Sequence, residues 1–409
     1  MKVLFVCCEQ PFPPNNGVRI PSWNMIKYFP NNWELTIYPI VNNDTESLRE
    51  GFKGIKNAKL KFFKPLVQQN SYKKALSNFL KLFLFFYTKK PSFNLLHPDK
   101  NIKKNLKELF AGEEYDIVIF DTEYLACYFD ILPKNIFSII SPNDSITLAL
   151  KNEIKYGLYK NFIINLYKKI NAARSLEFEK KYYKKFDLCH FVSRVDQNFI
   201  SQYIDKEKII AVPNGIRLKE ISYIPPSKNL NRFIIVGALT GGNLEYTKRF
   251  IRDVWIPAQK ISPKIELTIV SRINPKEIKN LCKKYNISIV NYEGDLDSFY
   301  QNFGFVISPV LKDCGILNKV LEGMANKRAV MGYQCSFFGI EGATKNFDHF
   351  SAKDEIEFIN LIVDYQKNGE LIDRIGLNAY EFVSDNFNWK EKIDFLVKDI
   401  KIRLKNKHI

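Results

Sequence analysis

What this chain lacks narrows it first. It has seven cysteines, an odd count, and no C-x-x-C pair among them. That excludes a disulfide framework and a zinc ribbon. Cys7, Cys8, Cys127 and Cys189 fall in apolar stretches and read as reduced core residues. No run of about 18 apolar residues occurs, so no membrane span is expected. The opening apolar residues are cut short by Glu9 and prolines, with no basic segment ahead of them, and predict a strand rather than a signal peptide. Histidine is scarce, four residues in 409, and His190 inside an apolar run reads as a hydrogen-bonded core residue. No G-x-G-x-x-G with a later acid is present, which argues against a dinucleotide cofactor.

Acid is missing from one region. Between Gly51 and Lys107, fourteen lysines stand against one acid, Asp99, in a chain of net charge +17. Within that block, Ser71 to Lys90 is basic, aromatic and apolar. Such a helix suits an anionic membrane surface or a lipid-linked substrate. A buried helix with solvated lysines is the other reading. No nucleic-acid motif accompanies the charge, so a nucleic-acid partner is not expected.

What is present points to α/β architecture. A length of 409 residues allows two or three domains. Short apolar runs at Lys2–Cys8, Trp33–Val41, Ala58–Phe63, Tyr115–Asp121, Asn135–Ser141, Leu188–Ser193 and Lys208–Pro213 predict strands. Between them lie helices near Pro21–Phe29 and over Ile146–Lys185, the latter with a break near Gly157. A polar stretch with Pro225 and Pro226 predicts a linker over 217–230. The pattern then restarts with strands at Arg232–Val236, Ile265–Ser271 and Ile287–Tyr292. Helices are expected near 355–367, 371–386 and 389–404.

The stretch Phe303 to Gly342 organises the rest. Phe303–Pro309 predicts a buried strand, Asp313-Cys314-Gly315 a loop, Leu317–Asn326 a helix and Ala329–Met331 the next strand. Lys319 and Glu322 are three residues apart and share a helix face. A glycine loop before a helix N-terminus favours an anion, and in open α/β sheets this end of the strands binds ligands. A solvated Lys/Glu pair is the plainer reading. Gly237 to Asn243 is a second glycine loop, whose amides can hold a pyrophosphate. Arg272 after the next strand is a candidate phosphate cation or a solvated loop residue. Asp144 at a strand exit is a candidate for acceptor binding or general base work, or else a helix N-cap. Gly294-Asp-Leu-Asp297 contains a D-x-D triplet that reads as a cap and first-turn acid rather than a metal site.

G-I-L-N-K-V-L-E-G-M-A-N followed by F-G-I-E-G resembles the donor-site signature of GT-B glycosyltransferases, within glycosyltransferase family 4. The resemblance is dense from Gly237 to Gly342. It implies that Gly315 approaches the donor, Lys319 faces the diphosphate and Glu322 accepts hydrogen bonds from ribose hydroxyls. Asn318 stands within the same motif. P-P-N-N-G-V-R resembles the first glycine loop, which puts Gly17 near donor or acceptor. G-A-L-T-G-G-N resembles the loop from Gly237 to Asn243, and V-P-N-G-I the exit from the N-terminal domain, with Asn214 and Gly215 at the cleft. In the family, chain near Tyr292 touches the base, and an R-x-x-x-x-E helix matches Arg174 to Glu179. Two departures stand out. The wider family has an acid where this chain has Cys314, and the branch has a glycine at Asp313. Either Asp313 takes over the sugar contact or donor recognition is altered.

The expected architecture is therefore two Rossmann-like αβα domains facing across a cleft. The first spans 1–216, the linker 217–230 and the donor domain 231–386, with a C-terminal helix over 387–409 crossing back. The expected function is sugar transfer from a nucleotide-diphosphate sugar to a saccharide, lipid-linked or protein hydroxyl, in surface polysaccharide, glycolipid or glycoconjugate synthesis. The resemblance implies a hexosyltransferase that retains anomeric configuration, with no metal and no cofactor beyond its donor. The expected place is the cytoplasm, with peripheral contact at the inner face of the membrane. A catalytically impaired nucleotide-sugar-binding scaffold, and an epimerase or hydrolase on the same fold, are the alternatives.

Overall fold

The computed structural model describes residues 1–40, 46–62, 78–95, 99–219, 222–291 and 296–407. The chain forms two compact units. The first comprises Met1–Lys151, Asn161–Pro213 and Trp389–Ile409, and the second Asn152–Lys160 and Asn214–Asn388.

The first unit is built on a seven-stranded, all-parallel sheet: β1 Lys2–Cys7, β2 Glu34–Pro39, β3 Ala58–Leu60, β4 Ile117–Asp121, β5 Phe137–Asn143, β6 Leu188–Phe191 and β7 Ile209–Ala211. The order is β3-β2-β1-β4-β5-β6-β7. Strand side chains alternate between faces, so one apolar run supplies two cores. Val3, Phe5, Ile117 and Ile119 pack with Met25 of the helix Arg19–Tyr28 and with Trp389, Ile393 and Val397 of the helix Trp389–Lys407. Leu4, Val6, Val118 and Phe120 face the other way, onto Leu106, Phe178 and Tyr183.

The second unit repeats the plan with six parallel strands: β8 Arg232–Val236, β9 Glu266–Val270, β10 Ser288–Val290, β11 Phe305–Ser308, β12 Ala329–Tyr333 and β13 Phe350–Ala352. Their order is β10-β9-β8-β11-β12-β13. Phe233, Ile235, Phe305 and Ile307 meet Trp255 and Phe358 on one face. Ile234, Val306 and Val330 meet Leu321, Met324 and Val383 on the other. In each unit the strand order reverses once, between β1 and β4 and between β8 and β11. Chains leaving adjacent strands diverge there and open a crevice at their C-terminal ends.

The expected fold class, two parallel-sheet α/β domains, is the one found. The expected break near Gly157 is found too, with helices Ile146–Lys155 and Phe162–Tyr183 parted where Gly157 takes φ +59°. Several details differ. Residues 152–160 belong to the second unit. The expected linker is partly built into that unit, since Ser227 donates from N and Oγ to Asp373 at 2.8 and 2.6 Å. The helices Glu46–Phe52, Lys100–Gly112 and Lys276–Lys284, and strand β13, escaped the sequence reading. The second of these was hidden in the lysine block, although Asp99 caps it and Ile102 and Leu106 are its buried face. Of the basic segment Ser71–Lys90, residues 71–77 lie outside the described residues, and Asn78–Thr88 is a helix. Among the described residues no helix is long and apolar enough to cross a membrane.

Candidate functional site

At the switch point of the second unit, β8 ends just before Gly237 and β11 runs into the loop 309–317. The helices that follow are Gly241–Phe250 and Asn318–Ala325. Neither takes a side-chain hydrogen bond from its N-cap residue, Thr240 or Leu317. The positive end of such a helix suits an anion.

Lys319 crosses this switch point. A Cβ built on Gly237, whose φ is +141°, would lie 3.3 Å from Lys319 Nζ and 3.7 Å from its Cε. The positive φ calls for glycine at 237, and the ammonium rests beside its bare Cα at the β8 exit. Burial pulls the Lys319 pKa down to about 8, opposed by Glu322 and reinforced by Lys312. Glu322, one helical turn on, is pushed up to about 7, chiefly by burial. Tyr300, fully buried, donates its hydroxyl to Glu322 Oε2 at 3.3 Å. Asp297 adds negative potential and is itself paired with Lys219 at 2.6 Å and Asn326 at 3.0 Å. Asp297 thus stands in the first turn of the helix Leu296–Tyr300 as a structural partner, while Asp295 lies outside the described residues. Asn318 Oδ1 accepts from Asn214 Nδ2 at 3.1 Å, which ties the start of the lysine-bearing helix to the V-P-N-G-I segment.

The loop ahead of that helix is held from two sides. Gly315 takes φ +64°, and a Cβ on Gly339 would fall 2.1 Å from Gly315 O. The F-G-I-E-G glycine thus backs the loop by absence of a side chain. From the other side, Lys155 Nζ pairs with Asp313 Oδ2 at 2.9 Å, and Tyr156 Oη donates to the same oxygen at 3.4 Å. Asp313 Oδ1 is buried without a partner. Arg249 Nη1 in turn donates to Tyr156 O at 2.5 Å and so anchors the segment that carries these two residues. Cys314 is only 3% exposed, a buried thiol that offers no carboxylate to this loop.

Gly237, Asp313, Gly315, Asn318, Lys319 and Glu322 all belong to this one region of the second unit. Other candidates fall elsewhere. Asn243 is the third residue of its helix rather than a loop residue, because the helix begins at Gly241. Arg272 is exposed beyond the end of β9. Tyr292 lies outside the described residues. Gly17, in the first unit, is exposed, and a Cβ there would meet nothing within 4 Å, so the local structure does not demand glycine.

Asp144 follows β5 in the first unit and is half-buried. The N-cap reading fails for it. Ser145 Oγ accepts from Leu148 N at 3.2 Å and takes that position. Ser145 also donates to Glu179 Oε1 at 2.9 Å, and its N–H to Asp196 Oδ1 at 2.8 Å. Glu179 is therefore a buried partner of the β5 exit rather than a solvent-facing residue. His190 is core, as expected, with Ser141 Oγ at 2.8 Å from Nδ1 and Val212 O at 3.2 Å from Nε2. Sequence reasoning missed Lys155, Tyr156 and Tyr300, since their roles rest on contacts distant along the chain.

No family model matches the chain. A relative in Klebsiella pneumoniae, described as an uncharacterised 44.6 kDa protein in the cps region, is 22% identical over 421 residues, covering 97% of this chain and 99% of its own. Solved structures align along nearly the whole length. Anabaena HepE in complex with UDP has a TM-score of 0.67 at 12% identity, covering 98% of this chain and 100% of its own. Sucrose-phosphate synthase of Thermosynechococcus elongatus has a TM-score of 0.70 at 14% identity, covering 97% and 98%. A variant of TarM from S. aureus in complex with fondaparinux, alpha-GlcNAc-glycerol and UDP has a TM-score of 0.68 at 11% identity, covering 98% and 99%. At these identities the likeness is one of fold, that of GT-B glycosyltransferases.

Proposed function

We propose that this protein is a glycosyltransferase that moves a sugar from a nucleoside-diphosphate sugar to a hydroxyl acceptor, with retention of configuration and without a metal or further cofactor. The observation that carries this reading is Lys319, set against Gly237 with Glu322 one turn along the same helix. When the bond from the anomeric carbon to the diphosphate oxygen breaks, its electron pair leaves with the diphosphate. Lys319 and the two uncapped helix ends stabilise that developing charge. The acceptor oxygen bonds to the anomeric carbon and passes its proton to the departing diphosphate oxygen. Glu322 receives the ribose hydroxyls, and Asp313, held by Lys155, supplies the sugar contact that Cys314 cannot. Asp144 serves the acceptor from the first unit. The place of the Klebsiella relative in a cps region fits surface polysaccharide synthesis. The reading also places the chain in the cytoplasm, against the inner face of the membrane through the segment 71–90.

Calorimetry with UDP and a panel of nucleotide sugars tests it. One nucleoside diphosphate is expected to bind, and Lys319→Ala to weaken that binding. If no nucleotide binds the intact protein, the reading fails. Sugar release or epimerisation without an acceptor would point to a hydrolase or epimerase on this fold. Binding without turnover on any acceptor would point to an impaired scaffold, the outcome that the buried Cys314 favours.

A further inference from the structure

The exposed apolar side chains of the first unit are not scattered. Among its described residues ten large ones are exposed, and seven of them sit on two helices. Asn78–Thr88 carries Phe83, Phe86 and Tyr87, and the first turns of Phe162–Tyr183 carry Phe162, Ile163, Ile164 and Leu166. Phe162 and Ile163 are 79% and 75% exposed, and Tyr87 is 76% exposed. These first turns are well formed, since Asn161 Oδ1 accepts from the N–H groups of Ile163 and Ile164 at 2.9 and 3.1 Å. Three consecutive bare apolar residues on a capped helix have no folding rationale and mark a surface that something else covers.

The two helices lock together by their inner sides. Phe85, fully buried, lies 4.6 Å from the Tyr167 ring, and Arg174 stacks over it at 4.2 Å while Nη1 donates to Phe85 O at 2.5 Å. Tyr167 is one turn beyond Ile163 and Ile164, so the bare residues of both helices flank one seam. Around it the charge has one sign. Residues 78–95 and 161–176 hold Lys81, Lys89, Lys90, Lys168, Lys169 and Arg174, and no Asp or Glu.

We propose that this two-helix ridge inserts into the headgroup layer of an anionic bilayer, with Phe162 to Leu166 as a second anchor beside the helix Asn78–Thr88. Bare aromatic and aliphatic side chains rimmed by lysines match that surface on both counts, apolar area for the acyl boundary and cations for the lipid phosphates. A second copy of the chain matches it poorly. A two-fold contact would set the same run of cations against itself.

Sedimentation of the full chain with vesicles tests the ridge, using phosphatidylcholine alone and phosphatidylcholine with phosphatidylglycerol, at low and high salt. Binding to the anionic vesicles is expected, weakening as salt rises. The pair Phe162→Ser and Ile163→Ser should lower it by about tenfold or more, and Tyr87→Ser by less. Phe395→Ser, an exposed residue on the helix Trp389–Lys407, should leave it unchanged. All are surface positions, and an unchanged melting temperature confirms the fold. Absence of binding to anionic vesicles overturns the proposal. So does equal loss with Phe395→Ser, or loss on changing Tyr87 with none on changing Phe162 and Ile163. Self-association abolished by the same pair would make the ridge a contact between copies. No nucleotide or acceptor enters the assay, so its outcome is separate from that of the sugar-transfer reading.

Discussion

The two units share one strand plan and carry opposite electrostatics at their switch points. In the second, glycines at 237 and 315 bare the backbone, and a lysine is pressed in until its pKa falls to about 8. In the first, the β4 exit carries acids. Asp121 is fully buried, accepts from Ser22 Oγ at Oδ2, leaves Oδ1 without a partner, and is pushed up to about 7 by burial. Glu123 is pushed up to about 8 by burial, with Asp144, Glu179 and Asp121 adding to it. Between them Thr122, a β-branched residue, is held at φ +99°, a strained conformation of the kind that gathers at functional sites. The comparison teaches that a parallel α/β sheet supplies the crevice, and a few side chains at strand ends decide the sign of what enters. One end suits a diphosphate. The other suits a ligand that presents hydroxyl or cationic hydrogens.

The sharpest way to break that contrast is to remove the charge. Lys319→Ala should cut turnover by about a hundredfold to a thousandfold, as for other charge-stabilising donors. Glu123→Gln should leave the affinity for UDP unchanged in calorimetry. If both variants weaken UDP alike, the two ends are not specialised. Next comes the loop support. Gly339→Ala forces a methyl toward Gly315 O, so the glycine loop must shift. A loss of about 1–3 kcal/mol in denaturant unfolding is expected, with weaker UDP binding. Gly17→Ala in the first unit should change neither.

The pH dependence separates the two ends more finely. Asp121, Glu123, Glu179 and Glu322 have raised pKa values in the folded chain, so the native state holds protons that the unfolded chain releases. Their stabilising contribution is full below about pH 4, near the unfolded carboxylate pKa, and is lost as pH rises through 7 to 8. The melting temperature should fall over that window, and Glu123→Gln should flatten the fall. Lys319 runs the other way, because its folded pKa lies below its ordinary 10.5 and stability from it rises between pH 8 and 10.5. A bound diphosphate should draw a proton onto Lys319, so UDP affinity should decline above about pH 8. A calorimetric signal independent of buffer ionisation at pH 9 would contradict this. The smallest effect belongs to Asp313→Asn, which should raise KM for the nucleotide sugar while leaving UDP affinity nearly unchanged.

Much of this was legible in the chain. Continuous apolar runs can be buried only in a sheet covered on both faces, so β1, β4, β8, β11 and β12 could be read directly. Lys319 and Glu322 were legible because three-residue spacing and a preceding glycine loop are local facts. The short helices were not, since Glu46–Phe52 has only Leu48 and Phe52 buried and no periodicity long enough to register. Nor was Asp313's partner, because Lys155 reaches it across 158 residues.

Local order determined the alternation of strand and helix, the two glycine turns and the shared face of Lys319 and Glu322, because backbone conformation and helical spacing act over a few residues. Tertiary structure decided which carboxylates hold protons, why Gly339 must lack a side chain, that Ser145 rather than Asp144 caps its helix, and which apolar residues stay bare. Those depend on desolvation and on contacts between segments far apart in the chain, which no neighbouring residue specifies.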